Sequence, residues 1–218
     1  TRNVMTIEDP VEYTLDGINQ AQLKESIGLT FGAALRSFLR QDPDVIMVGE
    51  IRDPDTAEMA IRAAITGHLV LSTIHTNSAW GTVNRLTDMG VDPFLVSDTL
   101  TTTVAQRLVR LLCPECKKKV AFDGSFFPPH FSPPTEVGYC YDPVGCNACY
   151  QTGYKGRKAI YEVIPIDREL AQEIKKRTLH ISELLTARGI KTLAINAFEL
   201  FQEGATSAEE IYPLLFNY

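Results

Sequence analysis

The sequence predicts an α/β fold, a parallel sheet with crossover helices, followed by a segment that needs some other device to hold its shape. Three observations predict it. Residues 1–112 alternate strand-like and helix-like segments, the pattern of parallel strands joined through helices. The apolar runs in "DVIMVGE" and "LVLSTIH" are continuous and too short for helices, as strands buried on both faces are. At Cys113 the composition turns to Pro, Gly, Phe, Tyr and Cys with little periodicity, and it stays so to about Gly156.

Taken in order, "NVMTIEDP" reads as a short strand ending in acids, and a polar turn region follows. "TFGAALRSFLRQDPD" places Phe31, Ala34, Leu35, Phe38 and Leu39 on one helical face, with Pro43 marking the end. "DVIMVGE" is the next strand. In "RDPDTAEMAIRAAITGH" Asp53 is the predicted N-cap, Pro54 sits in the first turn with the acids Asp55 and Glu58, and Gly67 closes the helix. "LVLSTIH" then reads as another buried strand, so the strand, helix, strand unit should cross over right-handed. "SAWGTVNRLTDMG" and "PFLVSDTLTTTVAQRLVRLL" read as helices, the second with Arg107 and Arg110 near its C-terminal end. "KAIYEVIPI" is a last strand. From Asp167 to Tyr218 helical patterning returns, with Ser182 and Ser207 as predicted caps. The expected divisions are 1–112, 113–156 and 157–218.

Composition narrows the function. With 218 residues and 44% hydrophobic content, the chain can bury one core or a core plus a satellite. A net charge of -6 offers no general attraction to a phosphate backbone, which argues against nucleic-acid binding. No apolar run reaches the roughly 18 residues of a membrane span, and "TRNVMTIEDP" lacks a signal pattern. The start without methionine, almost directly in a strand, suggests a piece of a longer protein.

All five cysteines fall between residues 113 and 149, and four of them form "CPEC" and "CNAC". A secreted disulfide framework would spread along the chain, so the expected setting is reducing and cytosolic. Two C-x-x-C knuckles present Cys113, Cys116, Cys146 and Cys149 as four thiolates for a tetrahedral zinc. A redox reading needs only one C-x-x-C and gives no reason for a second. With all positions filled by sulfur, the ion clamps a core-poor loop and does not catalyse. Cys140 stands outside the set.

Ligands of open parallel sheets bind beyond the C-terminal strand ends. Here these ends carry Glu8 and Asp9, then Glu50, then His75 with Thr73 and Thr76. A glutamate at such a mouth can orient and deprotonate a water, and nearby acids can serve a magnesium ion. Arg36, Arg40, Arg52 and Arg62 lie near enough in sequence to neutralise developing charge. Taken singly, the same acids read as caps and turn formers, and His68, after the Gly67 helix stop, reads as a local hydrogen-bonding residue.

Together "TIEDPVEY", "LRQDPDVIMVGEIRD", "TGHLVLSTIHTN", "AQRLVRLLCPEC" and "GYKGRKAIYEV" resemble the secretion ATPase family that powers type II secretion and type IV pilus assembly. The match runs in order through nearly the whole chain and is strongest to about residue 165. The resemblance implies a RecA-like P-loop NTPase core, incomplete here, with a tetracysteine zinc-binding insertion and C-terminal helices. It makes Glu8, Asp9 and Glu12 an aspartate box, "VIMVGE" a Walker B strand with Glu50 as catalytic glutamate, and His68 and His75 a histidine box. Gly49 stands where many nucleotide hydrolases carry aspartate, so magnesium would lean on the aspartate-box acids. Arg36, Arg40 and Arg157 match arginines that serve the nucleotide site or its subunit contacts.

The phosphate loop G-x-x-x-x-G-K-[ST] occurs nowhere among the 14 glycines. By resemblance it belongs upstream, so this chain is expected to bind ATP poorly, to hydrolyse it negligibly, and to expose apolar strand edges open to pairing between copies. The resemblance also implies ATP, Mg2+ and Zn2+ as cofactors and neighbouring copies in a hexameric ring. It implies a place at the cytoplasmic face of the bacterial inner membrane, held there only through secretion or pilus platform proteins. The tetracysteine module favours assembly or secretion over retraction. The other functional reading is a zinc-stabilised interaction module that docks onto that platform or onto neighbouring subunits.

Overall fold

The computed structural model describes residues 2–216. They form two compact units, one of residues 2–76, 81–101 and 166–179, the other of residues 77–80, 102–165 and 180–216.

The first unit is built on β1 (Val4–Glu8), β2 (Asn19–Gln22), β3 (Val45–Val48) and β4 (Leu69–Ser72). All pairings are parallel and the order is β2-β1-β3-β4. β2, in the stretch read as a polar turn, has no apolar pattern of its own and forms by pairing with β1 from Met5↔Asn19 to Glu8↔Gln22. Met5, Ile7, Ile46 and Val48 make the centre of the sheet. α1 (Phe31–Phe38) joins β2 to β3 and buries Phe31, Ala34, Leu35 and Phe38 as its period predicts, each large one contributing about 1.5–3 kcal/mol. Leu39 closes it, half-buried. α2 (Pro54–Ile65) crosses from β3 to β4; the Asp53 side chain accepts the Thr56 amide at 2.9 Å, and Gly67 takes a φ of 99° just past the helix end.

β4 departs from expectation. It pairs only with β3, and as a sheet edge it leaves Leu69 47% and Leu71 51% exposed. α3 (Gly81–Asp88), α4 (Pro93–Thr99) and α5 (Arg168–Lys175) complete the unit, with Lys175 paired to Asp98 at 3.1 Å.

The second correction is larger: residues 93–112 are not one helix. α4 ends at Thr99, Leu100 is extended, and β5 (Thr102–Leu112) begins. The run Thr101 to Val104 is β-branched throughout, which disfavours helix and suits a pleated surface. From there burial alternates, Thr103, Ala105 and Val109 inward against Val104 and Leu108 outward.

In the second unit β6 (Lys118–Ala121) and β7 (Tyr139–Asp142) form an antiparallel pair. β5 pairs antiparallel with β8 (Tyr154–Pro165), from Thr102↔Pro165 to Leu112↔Tyr154 with an irregularity after Arg110. α6 (Ser182–Ala187), α7 (Leu193–Gln202) and α8 (Ala208–Ile211) follow. Ser182 lies inside α6, whose cap position is Ile181 without a side-chain bond, whereas Ser207 caps α8 by accepting the Glu210 amide. The predicted helical region runs to Tyr218, and residues 217 and 218 lie outside those described. The segment between the cysteine pairs has an aromatic core as well. Phe122, Phe127 and Phe131 pack onto Phe198 and Phe201 of α7 with ring centroids 5.0 to 6.1 Å apart.

Candidate active site and metal centre

Because the strands of the first unit are parallel, their C-terminal ends share one edge, and the predicted residues arrive there by register. The Gly49 amide donates to the Ile7 carbonyl at 2.8 Å. A Cβ at Gly49 would stand 3.2 Å from that carbonyl and 3.4 Å from the Glu8 Cα, so glycine is what lets the end of β3 lie against β1. The loops after β3 and β4 are joined as well: the Ile51 amide donates to the Thr73 carbonyl at 2.9 Å, and the Thr73 hydroxyl to the Gly49 carbonyl at 2.7 Å.

Glu50 projects from this edge with its side chain only 14% exposed. Arg52 forms a close ion pair with its Oε1, and His75 Nε2 lies 3.2 Å from Oε2. Oε2 has almost no exposure of its own and faces the imidazole. The Arg52 hydrogen bond holds the Glu50 carboxyl below its ordinary value; burial pushes the other way, and the charges of Arg52 and His75 add to the lowering. Arg52 is in turn held above the ordinary arginine value by Glu50, with Asp9 and Glu25 contributing. The result is an ionised carboxylate held by Arg52 on one oxygen and facing His75 with the other, a group that can accept a proton from a positioned water.

Next to it, Glu8 Oε1 accepts the Thr6 hydroxyl at 2.5 Å and the Gln20 amide at 2.9 Å, so β1 and β2 together fix that carboxyl. Asp9 and Glu12 are exposed just beyond.

The structure therefore brings Glu50 and His75 together beside Glu8 and Asp9. Arg52, which the sequence placed only among nearby arginines, is the principal partner of Glu50; its position two residues on was the available signal. Arg36 pairs with Asp55 in the first turn of α2 at 2.6 Å, and Arg40 is exposed just past α1. His68 is not at this edge. It precedes β4, at the opposite end of the strand from His75, where its Nδ1 lies 2.9 Å from the Ala63 carbonyl and 3.0 Å from the Thr66 hydroxyl. Arg157 belongs to the second unit, exposed on β8 in register with Arg110.

The second unit carries the cysteine cluster. The sulfurs of Cys113, Cys116, Cys146 and Cys149 all lie within 4.8 Å of one another. The pairs Cys113–Cys146, Cys116–Cys149 and Cys146–Cys149 are separated by 3.9, 3.8 and 3.8 Å. A zinc–sulfur bond of about 2.3 Å gives a tetrahedral edge of about 3.8 Å, so the donor set fits. Backbone amides point at the sulfurs: Gly145 at Cys116 at 3.3 Å, and Cys146 and Gly153 at Cys149 at 3.2 and 3.3 Å. Gly145 has a φ of 105° and Gly153 a φ of 76°. A Cβ on Gly145 would meet the Gln151 carbonyl at 2.8 Å, so these turns require glycine. Cys140 lies buried on β7, outside the cluster.

Comparison with known proteins gives relatives along nearly the whole chain. The chain is 48% identical to the type IV pilus assembly ATPase PilB of Myxococcus xanthus over 96% of its own length and 38% of that protein. It is 44% identical to type II secretion system protein E of Pseudomonas aeruginosa over 97% of its length and 42% of that protein. The chain thus spans about two fifths of these relatives. The crystal structure of the pilus retraction motor PilT with bound ADP matches 98% of this chain and 52% of that one, with a TM-score of 0.70 at 27% identity. The α/β architecture with its parallel sheet is the fold of these motors. The family model described as type II/IV secretion system protein matches residues 1–213, and the chain belongs to that family.

Proposed function

We propose that the chain is part of a cytoplasmic motor ATPase that hydrolyses ATP to drive type II secretion or type IV pilus assembly. One observation carries this reading: an ionised, largely shielded Glu50, held by Arg52 and set at the C-terminal edge of a parallel sheet beside His75 and the acids Glu8 and Asp9. Glu50 takes the proton of the attacking water, and His75 contacts the terminal phosphate. Magnesium, when bound, neutralises phosphate charge; Glu8, Asp9 and Glu12 hold its ligands. Arg36, Arg40 and Arg157 serve the transition-state charge or the contacts of a hexameric ring, and His68 supports the strand that carries His75. By itself the chain turns ATP over negligibly, since the phosphate-loop pattern is absent from its sequence.

The four cysteines hold one structural zinc that clamps residues 113–156, and this module favours assembly or secretion over retraction. The motor works at the cytoplasmic face of the inner membrane through platform proteins; no helix of the described residues is long and apolar enough to cross a membrane. A second reading, an interaction module docking onto the platform or neighbouring subunits, is supported by the cysteine cluster alone, since its geometry is complete without Glu50. The test compares ATP turnover of this chain with a version extended upstream through a phosphate loop, with and without Glu50→Gln. Turnover only in the extended form, lost on Glu50→Gln, supports the motor. Equal turnover by the unextended chain or by the Glu50→Gln variant overturns it.

A further inference from the structure

Gln20 is a side chain of β2 that the proposed chemistry does not use, yet its terminal amide is bonded on three sides. Register explains the first bond. Gln20 lies opposite Thr6 in the parallel pair of β1 and β2, and Glu8, two residues on, returns to the face of the sheet that Thr6 occupies. Three polar side chains thus meet on one face: Glu8 Oε1 accepts the Thr6 hydroxyl at 2.5 Å and the Gln20 amide at 2.9 Å.

The other two bonds run to the loop between the strands. Gln20 Nε2 also donates to the Tyr13 carbonyl at 3.0 Å, and Gln20 Oε1 accepts the Leu15 amide at 2.7 Å. The amide has two N–H donors, and both are used. Turned over, it would set its oxygen against the Glu8 carboxylate and its N–H groups against the Leu15 N–H, so only one orientation serves. Tyr13 and Leu15 are 77% and 51% exposed, so these bonds rather than burial hold the middle of the loop. That loop begins at Asp9 and carries Glu12, and Asp9 is near enough to Arg52, the partner of Glu50, for its charge to be felt there.

We propose that Gln20 is a positioning residue for the acidic strand end: with one amide it turns the Glu8 carboxyl and ties to it the loop that bears Asp9 and Glu12. Asparagine would fall one carbon short, and methionine, of similar length, has no N–H to give. The proposal rests on the motor reading, in which those acids serve magnesium. Its first test uses the chain as it stands and needs no nucleotide. Gln20→Met, which keeps the stem and the strand, quickens hydrogen exchange at the Leu15 amide roughly fivefold, the worth of one ordinary hydrogen bond. Gln20→Glu keeps the acceptor for Leu15 but loses both donors, so there the Leu15 amide stays protected. An unchanged Leu15 amide in Gln20→Met overturns the proposal.

The second test uses the protein extended upstream through a phosphate loop. Gln20→Met raises the magnesium concentration for half-maximal turnover roughly fivefold, while kcat at saturating magnesium stays within about twofold of the wild type. A merely structural role would lower kcat at every magnesium concentration and leave the requirement where it was; that result, or no effect at all, overturns the positioning role. If the extended wild type does not hydrolyse ATP, the motor reading fails and the catalytic half of the proposal with it. The exchange result still decides whether Gln20 holds the loop.

Discussion

Stripping zinc should lower the stability of the second unit by an amount the geometry lets one work out. Three of the sulfur separations already equal a tetrahedral edge, and the widest is no more than 4.8 Å, so the ion closes the cage with shifts under about 1 Å. Little of the binding energy is then spent on rearrangement, and it appears as folding energy. With free zinc a hundredfold above its dissociation constant the linkage is about 2.7 kcal/mol. For a chain of 218 residues each kcal/mol moves the melting temperature by roughly 2–4 °C. Chelation should therefore lower the melt by roughly 5–10 °C, restored by zinc and not by magnesium. The assay is metal analysis of the purified chain, with one zinc per chain expected, followed by calorimetry with and without chelator. Substoichiometric zinc after reconstitution, or a melt indifferent to chelator, would refute the reasoning.

Ser207→Ala should cost about 1–2 kcal/mol, because it removes the cap of α8 and the 2.7 Å bond to the Tyr154 hydroxyl. Ser182→Ala, inside α6, should stay within about 0.5 kcal/mol in the same urea titration. Leu71→Lys places a charge on the open edge of β4 and should raise the monomer fraction in sedimentation at unchanged stability, since charged edges resist pairing. Glu50 lies below its ordinary value of 4.5, so its contribution to stability is complete above that pH and fades as acid titrates the folded carboxyl. The loss in melting temperature between pH 6 and pH 3 should accordingly shrink in Glu50→Gln. Arg52→Gln should leave the urea midpoint at neutral pH close to that of the wild type, since Arg52 is well exposed and its ion pair is screened by solvent.

Much of the first unit was legible because its signals are local. Asp53, Pro54 and the stop at Gly67 specify α2 whatever surrounds it, and the apolar period of α1 buries Phe31, Ala34, Leu35 and Phe38 as read. β2 was not legible, since Asn19–Gln22 forms a strand only by pairing with β1. Residues 93–112 misled because their leucines and valines fit either period; the β-branched run at Thr101 outweighs the helical spacing once β8 offers a partner. The cysteine cluster was fully legible, since C-x-x-C spacing carries its own geometry. The pairing of Arg52 was not, because nothing in "GEIRD" says which carboxylate a side chain will meet.

The pairing of Glu50 with Arg52 also bears on what the carboxyl can do. At neutral pH a carboxyl of the ordinary 4.5 is already ionised, so lowering its pKa adds no charge and makes it a weaker base. Arg52 therefore does not create the base. It decides which oxygen is free. By occupying Oε1 it leaves Oε2, the buried oxygen beside His75, as the one with an unused lone pair. A water that reaches Oε2 would arrive where the imidazole can share it.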